Sequence, residues 1–333
     1  MQKNQARSVV TQITFLLLGF LWTSLAIAKD TEKVEIEVTR LNDYLLFFYA
    51  GRGEAAKNTA DDWVSGAAMK LGIGIYAIHQ GNKAVVYDTM TSVAQAQWVK
   101  EYLHKKLGIE HFTVIQSHWH LDHVAGNAAF LGHDIIAQDL TRAIMLEKKA
   151  ALEAGEEWGP PAIKPLVIPN LVFTKRMDVY VGDIKLELYN FNIHTKDANL
   201  IYLPKDKILL CGDTLEDTIT YMVDIAGLPD HLQGLQDMKA MDVKTIYPNH
   251  GNPEVIRQGG YTKTLIDATR QYITRMVNRA HEEKYLESQL EEYIGDAIEK
   301  GWISLWEPYR DVHKMNLGLI HEYYKDKPLP KLE

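Results

Sequence analysis

The alternation of apolar and polar positions predicts a mixed α/β protein. Val34–Val38 and Tyr44–Tyr49 are rich in β-branched, Leu and aromatic residues and flank the turn-forming Leu41-Asn42-Asp43, so they read as strands. Residues 51–72, which include Trp63, show no clean period and read as a long loop or short helix. Ile73–His79 and Ala84–Tyr87 flank Gln80-Gly81-Asn82 and predict a hairpin. Val93–Leu107 has helical spacing, and Phe112–Gln116 is a short apolar strand. Val124–Leu131 and Leu140–Ala154 read as helices around an extended Asp134–Ala137. Residues 155–169 carry Gly155, Gly159, Pro160, Pro161, Pro165 and Pro169, which excludes regular structure. Strands are then expected at Leu171–Thr174, Asp178–Val181, Ile184–Tyr189, Asn199–Leu203, Lys207–Cys211 and Thr245–Tyr247, with a helix at Leu232–Met241. From Tyr261 to Tyr324 the pattern is mostly helical, with breaks near Gly295, Gly301 and Pro308. Two halves of similar mixed content suggest two facing sheets with helices outside.

Composition narrows the class. With 333 residues, 46% hydrophobic and 24% charged, the chain is neither disordered nor fibrous, and it is long enough to bury a full core. A formal net charge of −8 argues against a nucleic-acid partner, which favours a basic footprint. The single cysteine, Cys211, excludes an internal disulfide and any multi-thiolate metal site. Metal binding therefore rests on carboxylates and on the 13 histidines.

Residues 1–28 read as an export signal. Lys3 and Arg7 give a positive start, Ile13 to Trp22 an apolar run, and Ala26-Ile27-Ala28 a small-x-small cleavage site. The run is short for a bilayer span, so cleavage is favoured over anchoring. The expected product is a single domain over 29–333, periplasmic or secreted, with no stable membrane anchor; removing Lys3 and Arg7 takes the net charge from −8 to −10.

The chemistry concentrates in Ser117-His118-Trp119-His120-Leu121-Asp122-His123, directly after an apolar strand and before a helix. His118 and His120 alternate, so on an extended backbone they project to one side. Asp122 and His123 follow as the backbone turns and can face a second point. Packed protonated histidines would repel one another, whereas a metal binds neutral imidazoles and an ionised carboxylate. His194, Asp213 and His250 lie near strand ends further on, Asp213 within Cys211-Gly212-Asp213-Thr214. Together these seven side chains supply enough N/O ligands for two metals sharing one carboxylate.

On these residues the chain resembles the metallo-β-lactamase superfamily: H-x-H-x-D-H at His118, His120, Asp122 and His123, then a His, a Gly-Asp-Thr and a last His in order, over roughly 34–252. The resemblance implies an αββα four-layer sandwich, here with a helical extension over 261–325. It implies that His118, His120 and His194 hold one metal, that Asp122, His123 and His250 hold the other, and that Asp213 bridges them. Two Zn²⁺ are expected from ligand type, with iron or manganese as alternatives. The di-iron branch of the family commonly carries a glutamate where this chain has His120, which argues against a redox di-iron centre.

The expected reaction is hydrolysis of a small-molecule ester, lactone, thioester or amide by a hydroxide shared between the metals, with Asp122 orienting it and passing a proton to the leaving group. Thioesterases of the family carry a Gly-Cys-Gly-Arg-like segment that is not found after Asp213. Zinc β-lactamases that use a cysteine carry a lysine three residues later, where this chain has Glu216; the cysteine position itself is Asp213, and Cys211 reads as a buried apolar residue. β-Lactam hydrolysis and a single-iron, persulfide-dioxygenase-like oxidation are the competing readings; a metal-stabilised binding protein without turnover is a third. Trp63 is expected to form a flap over the metals, Trp158 the opposite wall and Tyr221 an oxyanion donor, while Trp119 is expected to pack outward as support. Glu216 and Asp217 read either as supports of the ligands or as solvated loop acids. The helical tail from 261 is expected to cap the sandwich or to offer a dimer face.

Overall fold

In the computed structural model, β1 (Glu37–Arg40), β2 (Leu45–Ala50), β3 (Ile73–Gln80) and β4 (Lys83–Tyr87) form an antiparallel meander. β5 (His111–Ile115), β6 (Asp134–Gln138) and β7 (Leu171–Phe173) extend it in parallel, giving seven strands in sequential order. The second sheet runs β12-β11-β10-β9-β8, from β8 (Arg176–Val181), β9 (Ile184–Asn190), β10 (Asn199–Leu203), β11 (Ile208–Leu210) and β12 (Thr245–Tyr247). Residues 35–57, 60, 62–330 and 332 are described; the 1–28 segment read as a signal lies outside them. Val34–Glu333 forms one unit. Among the described residues no helix is long and apolar enough to cross a membrane.

The period of two along a strand explains why the first sheet is covered on both faces. Leu45, Phe47 and Tyr49 on β2, with Tyr76, Ile78, Val85, Tyr87 and Ile115, pack in one core with Leu188, Ile201 and Leu210 of the second sheet. The intervening Leu46, Phe48 and Ala50 belong to a separate core with Ile75, Val86 and Val114. That outer core is closed by Ala96, Val99 and Leu103 at helical spacing on a long helix.

The helices, in chain order, begin with α1 (Met69–Leu71), which continues a wider turn over Trp63–Ala68, and α2 (Val93–Leu107), the helix just described. α2 is capped by the Ser92 hydroxyl and ended by Gly108 at φ 67°. α3 (Leu121–Val124), α4 (Asp139–Glu147), α5 (Lys149–Ala154), α6 (Leu228–Ala240) and α7 (Pro253–Arg257) follow. α8 (Thr264–Asn278), α9 (Glu291–Glu299) and α10 (Tyr309–Tyr324) make up the C-terminal part. Leu235 and Met238 of α6, Ile273 and Met276 of α8 and Leu317 of α10 join the second sheet's core.

Several boundaries differ from the sequence expectation. The first strand begins at Glu37 rather than Val34. The expected helix Val124–Leu131 is two short turns, α3 and Asn127–Phe130, and Leu140–Ala154 is divided at Lys148. Gly295 does not break the chain: it lies inside α9 with open space around it, at a helix cost of about 1 kcal/mol that the flanking buried Tyr293, Ile294 and Ala297 offset. α7 was not expected, although Asn252 caps it and Pro253 opens it.

Candidate metal centre

The two sheets bring their strand ends to one edge, and the chemistry-bearing residues sit there. His118 to His123 follow β5. His120 is extended (φ −60°, ψ 151°) and is the last residue before α3, so Asp122 and His123 point from the first turn of a helix while His118 and His120 precede it. Asp213 follows β11, and His250 follows β12, which is parallel to β11. β9 and β11 both run antiparallel to β10, so the His194 loop after β9 emerges at the same edge.

The seven residues separate into two groups whose ligand atoms lie within 4.8 Å of one another: His118, His120, His194 and Asp213, then Asp122, His123 and His250. All seven are buried. One carboxylate oxygen joins the groups. Asp213 Oδ2 lies 3.0 Å from His123 Nε2, 3.5 Å from His250 Nε2, 3.7 Å from His118 Nε2 and 3.9 Å from His194 Nε2. His194 Nε2 is 3.0 Å from His120 Nδ1, and His250 Nε2 is 3.0 Å from Asp122 Oδ2. Metal–ligand bonds of about 2.0–2.1 Å in a tetrahedron separate neighbouring ligand atoms by roughly 3.3 Å, so these spacings suit coordination edges. His118 Nε2 and Asp213 Oδ1 are buried with no hydrogen-bond partner among the described residues, which a cation would satisfy. The donor set therefore fits a pair of divalent ions.

The outer nitrogens are fixed by the protein, which sets which nitrogen faces inward. His194 Nδ1 donates to the Tyr221 carbonyl at 2.8 Å and His250 Nδ1 to that of Gly72 at 2.6 Å. His123 Nδ1 donates to Asp88 Oδ2 at 2.8 Å. Asp88 is a hub: it also accepts from the Ser117 amide (2.7 Å), the Ser117 hydroxyl (2.6 Å) and Asn249 Nδ2 (2.6 Å). Burial raises the Asp88 carboxyl above its ordinary range despite His123. Burial alone would lower His123, but Asp213, Asp122 and Asp88 outweigh it and raise it well above the ordinary value. Asp88 was missed in the sequence, although Tyr87-Asp88-Thr89 ends a strand in a carboxylate as Gly212-Asp213-Thr214 does. Four non-glycine residues here adopt left-handed backbone: Asp88 (φ 69°), Met90 (65°), Trp158 (59°) and His194 (69°). Such conformations cost of order 1–3 kcal/mol and gather where a site over-determines them.

A cavity of about 690 Å³ opens over the cluster, and Trp63, Trp158 and Tyr221 all line it. Trp63 is buried in the turn before α1, its Nε1 donating to the Pro161 carbonyl at 3.0 Å. It is thereby tied to the Trp158 loop rather than standing free as a flap. Trp119 is also buried, its ring 4.9 Å from His120 and 5.5 Å from Trp158, so it packs inward beneath the wall instead of outward. Glu216 and Asp217 are buried supports, not solvated acids. Glu216 accepts from the Tyr221 amide and the Tyr309 hydroxyl, each at 3.0 Å, and burial followed by the charge of Asp213 pushes its carboxyl up to about 8. Asp217 accepts from Ser304 and Tyr261. Cys211 is buried, and burial raises its thiol well above the ordinary range.

The fold and this edge cluster define a metal-dependent hydrolase of the αββα type. The sequence profile of the metallo-beta-lactamase superfamily matches residues 72–250, and the chain belongs to that superfamily. It is similar to a metallo-beta-lactamase type 2 of Bacteroides fragilis, 24% identical over 276 residues that cover 79% of this chain and 96% of the relative. The fold is shared with a metallo-beta-lactamase from Pontibacter korlensis (19% identity, TM-score 0.55, 72% of this chain and 99% of the other). It is shared also with one from Hirschia baltica (16% identity, TM-score 0.53, 72% and 98%).

Proposed function

We propose that the protein is an exported dinuclear zinc hydrolase that adds water across an ester, lactone, thioester or amide carbonyl of a small molecule. The observation that carries this reading is the single Asp213 oxygen set within 3.0–3.9 Å of imidazole nitrogens from both ligand groups. His118, His120 and His194 would hold one zinc, Asp122, His123 and His250 the other, and Asp213 both. The bound pair supplies Lewis-acid activation of a water and of the carbonyl. Zinc is preferred because the donors are imidazole and carboxylate and Cys211 lies outside the set.

The chain's own groups supply the rest. The Tyr221, Gly72 and Asp88 acceptors hold His194, His250 and His123 with Nε2 turned inward. Asp122 reaches the cavity, takes the proton of the attacking water and returns it to the leaving atom as the carbonyl carbon–leaving atom bond breaks. Water oxygen ends on the acyl product and the proton on the leaving alcohol, thiol or amine. Tyr221 lines the same space and is the candidate oxyanion donor.

A second reading, hydrolysis of β-lactams, is supported by the Bacteroides fragilis relative. Against it stands Glu216, a buried acid where a cationic side chain would serve a substrate carboxylate. Export rests on residues 1–28 and is tested by the mass of the secreted chain, expected to start at Lys29. The central test is metal quantification of purified protein coupled to aryl esters, lactones, thioesters and nitrocefin. Two zincs per chain and chelator-sensitive carbonyl hydrolysis are expected. Full activity after exhaustive chelation overturns the proposal, and one iron with oxygen uptake favours the oxidative alternative.

A further inference from the structure

One wall of the cavity's outer half comes from a part of the chain beyond the superfamily match, and the chemistry of this outer half is one-sided. Pro308, Asp311, Val312 and Met315, on and just before α10, form one wall. Trp158 stands opposite the ligand floor, its ring 4.7 Å from that of His120 and 45% exposed. A tryptophan held at φ 59° with nearly half its surface in water is strained and incompletely packed. Met315 is likewise 47% exposed, and Leu319, one turn further along α10, is 37% exposed. Trp158 and Met315 thus leave apolar surface uncovered at the cavity, and burying it beneath a ligand is favourable.

Charge points the same way. Outside the ligand set, the charged side chains lining the cavity among the described residues are Asp62, Glu216, Asp311 and Lys70. Three are acidic. Asp62 is fixed by accepting the Ser65 amide at 2.6 Å, and Glu216 lies between Tyr221 and Tyr309. Asp311, 80% exposed at the outer rim, pairs with Lys314 at 3.4 Å. Lys70 is the one cation, and it shares the lining with these acids. A substrate carboxylate entering here finds no guanidinium in the lining and only Lys70 as a cation, beside Asp62, so nothing there is built to pair with it.

We infer that this enzyme's substrates are uncharged acyl compounds carrying an apolar chain of several carbons, with the chain lying between Trp158 and the Val312–Met315 face of α10 while the carbonyl faces the metal cluster. The inference rests on the hydrolase reading above and adds the substrate class to it. Each methylene buried there contributes roughly fourfold to kcat/KM.

The test uses the full mature chain with p-nitrophenyl acetate, butyrate and hexanoate, and with the mono-p-nitrophenyl ester of adipic acid, which has the hexanoate's length and ends in a carboxylate. The hexanoate is expected to exceed the acetate on the order of a hundredfold in kcat/KM, and to exceed the adipate half-ester at least about tenfold. Met315→Glu places a charge on the exposed wall and is expected to cut the hexanoate-to-acetate ratio about tenfold. A second variant, Trp158→Leu, is expected to reduce the same ratio with the bound-metal content checked alongside. A flat chain-length profile, a preference for the adipate half-ester, or an unmoved ratio in both variants overturns the inference while leaving the hydrolase reading intact. If no p-nitrophenyl ester is turned over, only the ester branch of the hydrolase reading fails. Calorimetric titration with N-hexylacetamide and 6-acetamidohexanoate then decides: tighter binding of the neutral amide supports the apolar chain site, and tighter or equal binding of the acid overturns it.

Discussion

At the floor of the cavity every ligand side chain is buried and most are gripped from behind; at its outer wall Trp158 and Met315 are close to half exposed and Asp311 is mostly in solvent. The floor hangs from strand ends in two sheets and is locked by Asp88, which accepts four hydrogen bonds from Ser117, His123 and Asn249. The wall belongs to α10 and to the loops carrying Trp63 and Trp158. It reaches the floor through the 216–222 segment: Tyr309 meets Glu216, and Asn316 meets Thr220 and Met222. A rigid floor suits positioned metals, because second-layer partners tune ligand orientation. A looser wall suits selection among substrates. Changes to the floor should therefore abolish chemistry, and changes to the wall should redirect or destabilise.

The largest effect is expected at Asp213. Asp213→Ala removes the oxygen common to both groups; Lewis-acid stabilisation worth several kcal/mol corresponds to about a thousandfold in rate. On the dinuclear proposal, bound metal should fall below two equivalents per chain, read by elemental analysis beside kcat/KM. Two retained equivalents with unchanged rate would contradict the shared-ligand arrangement.

Next comes Asp88. Asp88→Asn keeps the shape but replaces an acceptor of four hydrogen bonds by an amide that must turn a donor toward the same partners. Metal affinity should weaken about 10–100-fold, measured by competition with a chromophoric chelator, with the fold retained by circular dichroism. Unchanged affinity would reduce Asp88 to a packing residue and weaken the contrast between floor and wall.

The two regions also differ in how they could be read from the sequence. The floor's core was legible because His118, His120, Asp122 and His123 fall within six positions, where local spacing alone fixes their faces. His194, Asp213 and His250 became interpretable only through their order after that motif, since an isolated histidine or turn aspartate has many ordinary uses. Asp88 carried a local signal, a carboxylate ending an apolar strand, but its value comes from Ser117, His123 and Asn249, which only the fold brings to it. The wall was least legible. Trp63, Trp158 and Tyr221 could be guessed as large aromatics near the motif, but Val312 and Met315 look like any apolar stripe on a helix, and nothing in their spacing says that part of it stays uncovered. Strand and helix periodicity carried the mixed α/β class and the four-layer sandwich came from the resemblance, whereas Gly295 misled because tertiary packing outweighs a single glycine's helix cost.

At the junction of the two regions the expected effects shrink. Asn316 Oδ1 accepts the Met222 amide at 2.9 Å, and its Nδ2 donates to the Thr220 carbonyl at 2.9 Å. Asn316→Ala leaves both buried backbone groups unpaired, at about 1–3 kcal/mol each. For a domain of this size that lowers the melting temperature by roughly 2–4 °C per kcal/mol. Metal content should stay at the wild-type value. A loss of metal instead would mean that α10 supports the floor as well as the wall, and the contrast would need redrawing.

The smallest effect tests whether the strap before Gly72 is one piece with the C-terminal segment. Arg52 donates to the Leu71 carbonyl (2.9 Å) and the Asp217 carbonyl (3.2 Å), and its guanidinium sits 4.8 Å from the centre of the Trp306 ring. Trp306 Nε1 in turn donates to the Lys70 carbonyl at 2.8 Å. Both side chains are only partly buried, so water weakens the cation–ring attraction to roughly 0.5–1 kcal/mol. Single substitutions would mix this term with the lost carbonyl hydrogen bonds. A double-mutant cycle of Arg52→Met and Trp306→Leu, followed by urea unfolding, subtracts those separate losses and leaves the pair's coupling. A coupling of that size means that the strap carrying the Gly72 carbonyl, which holds His250, is tied by contact to the segment that leads into α10. Additive losses would instead mean that the cation–ring contact adds nothing to the tie that the separate hydrogen bonds of Arg52 and Trp306 make.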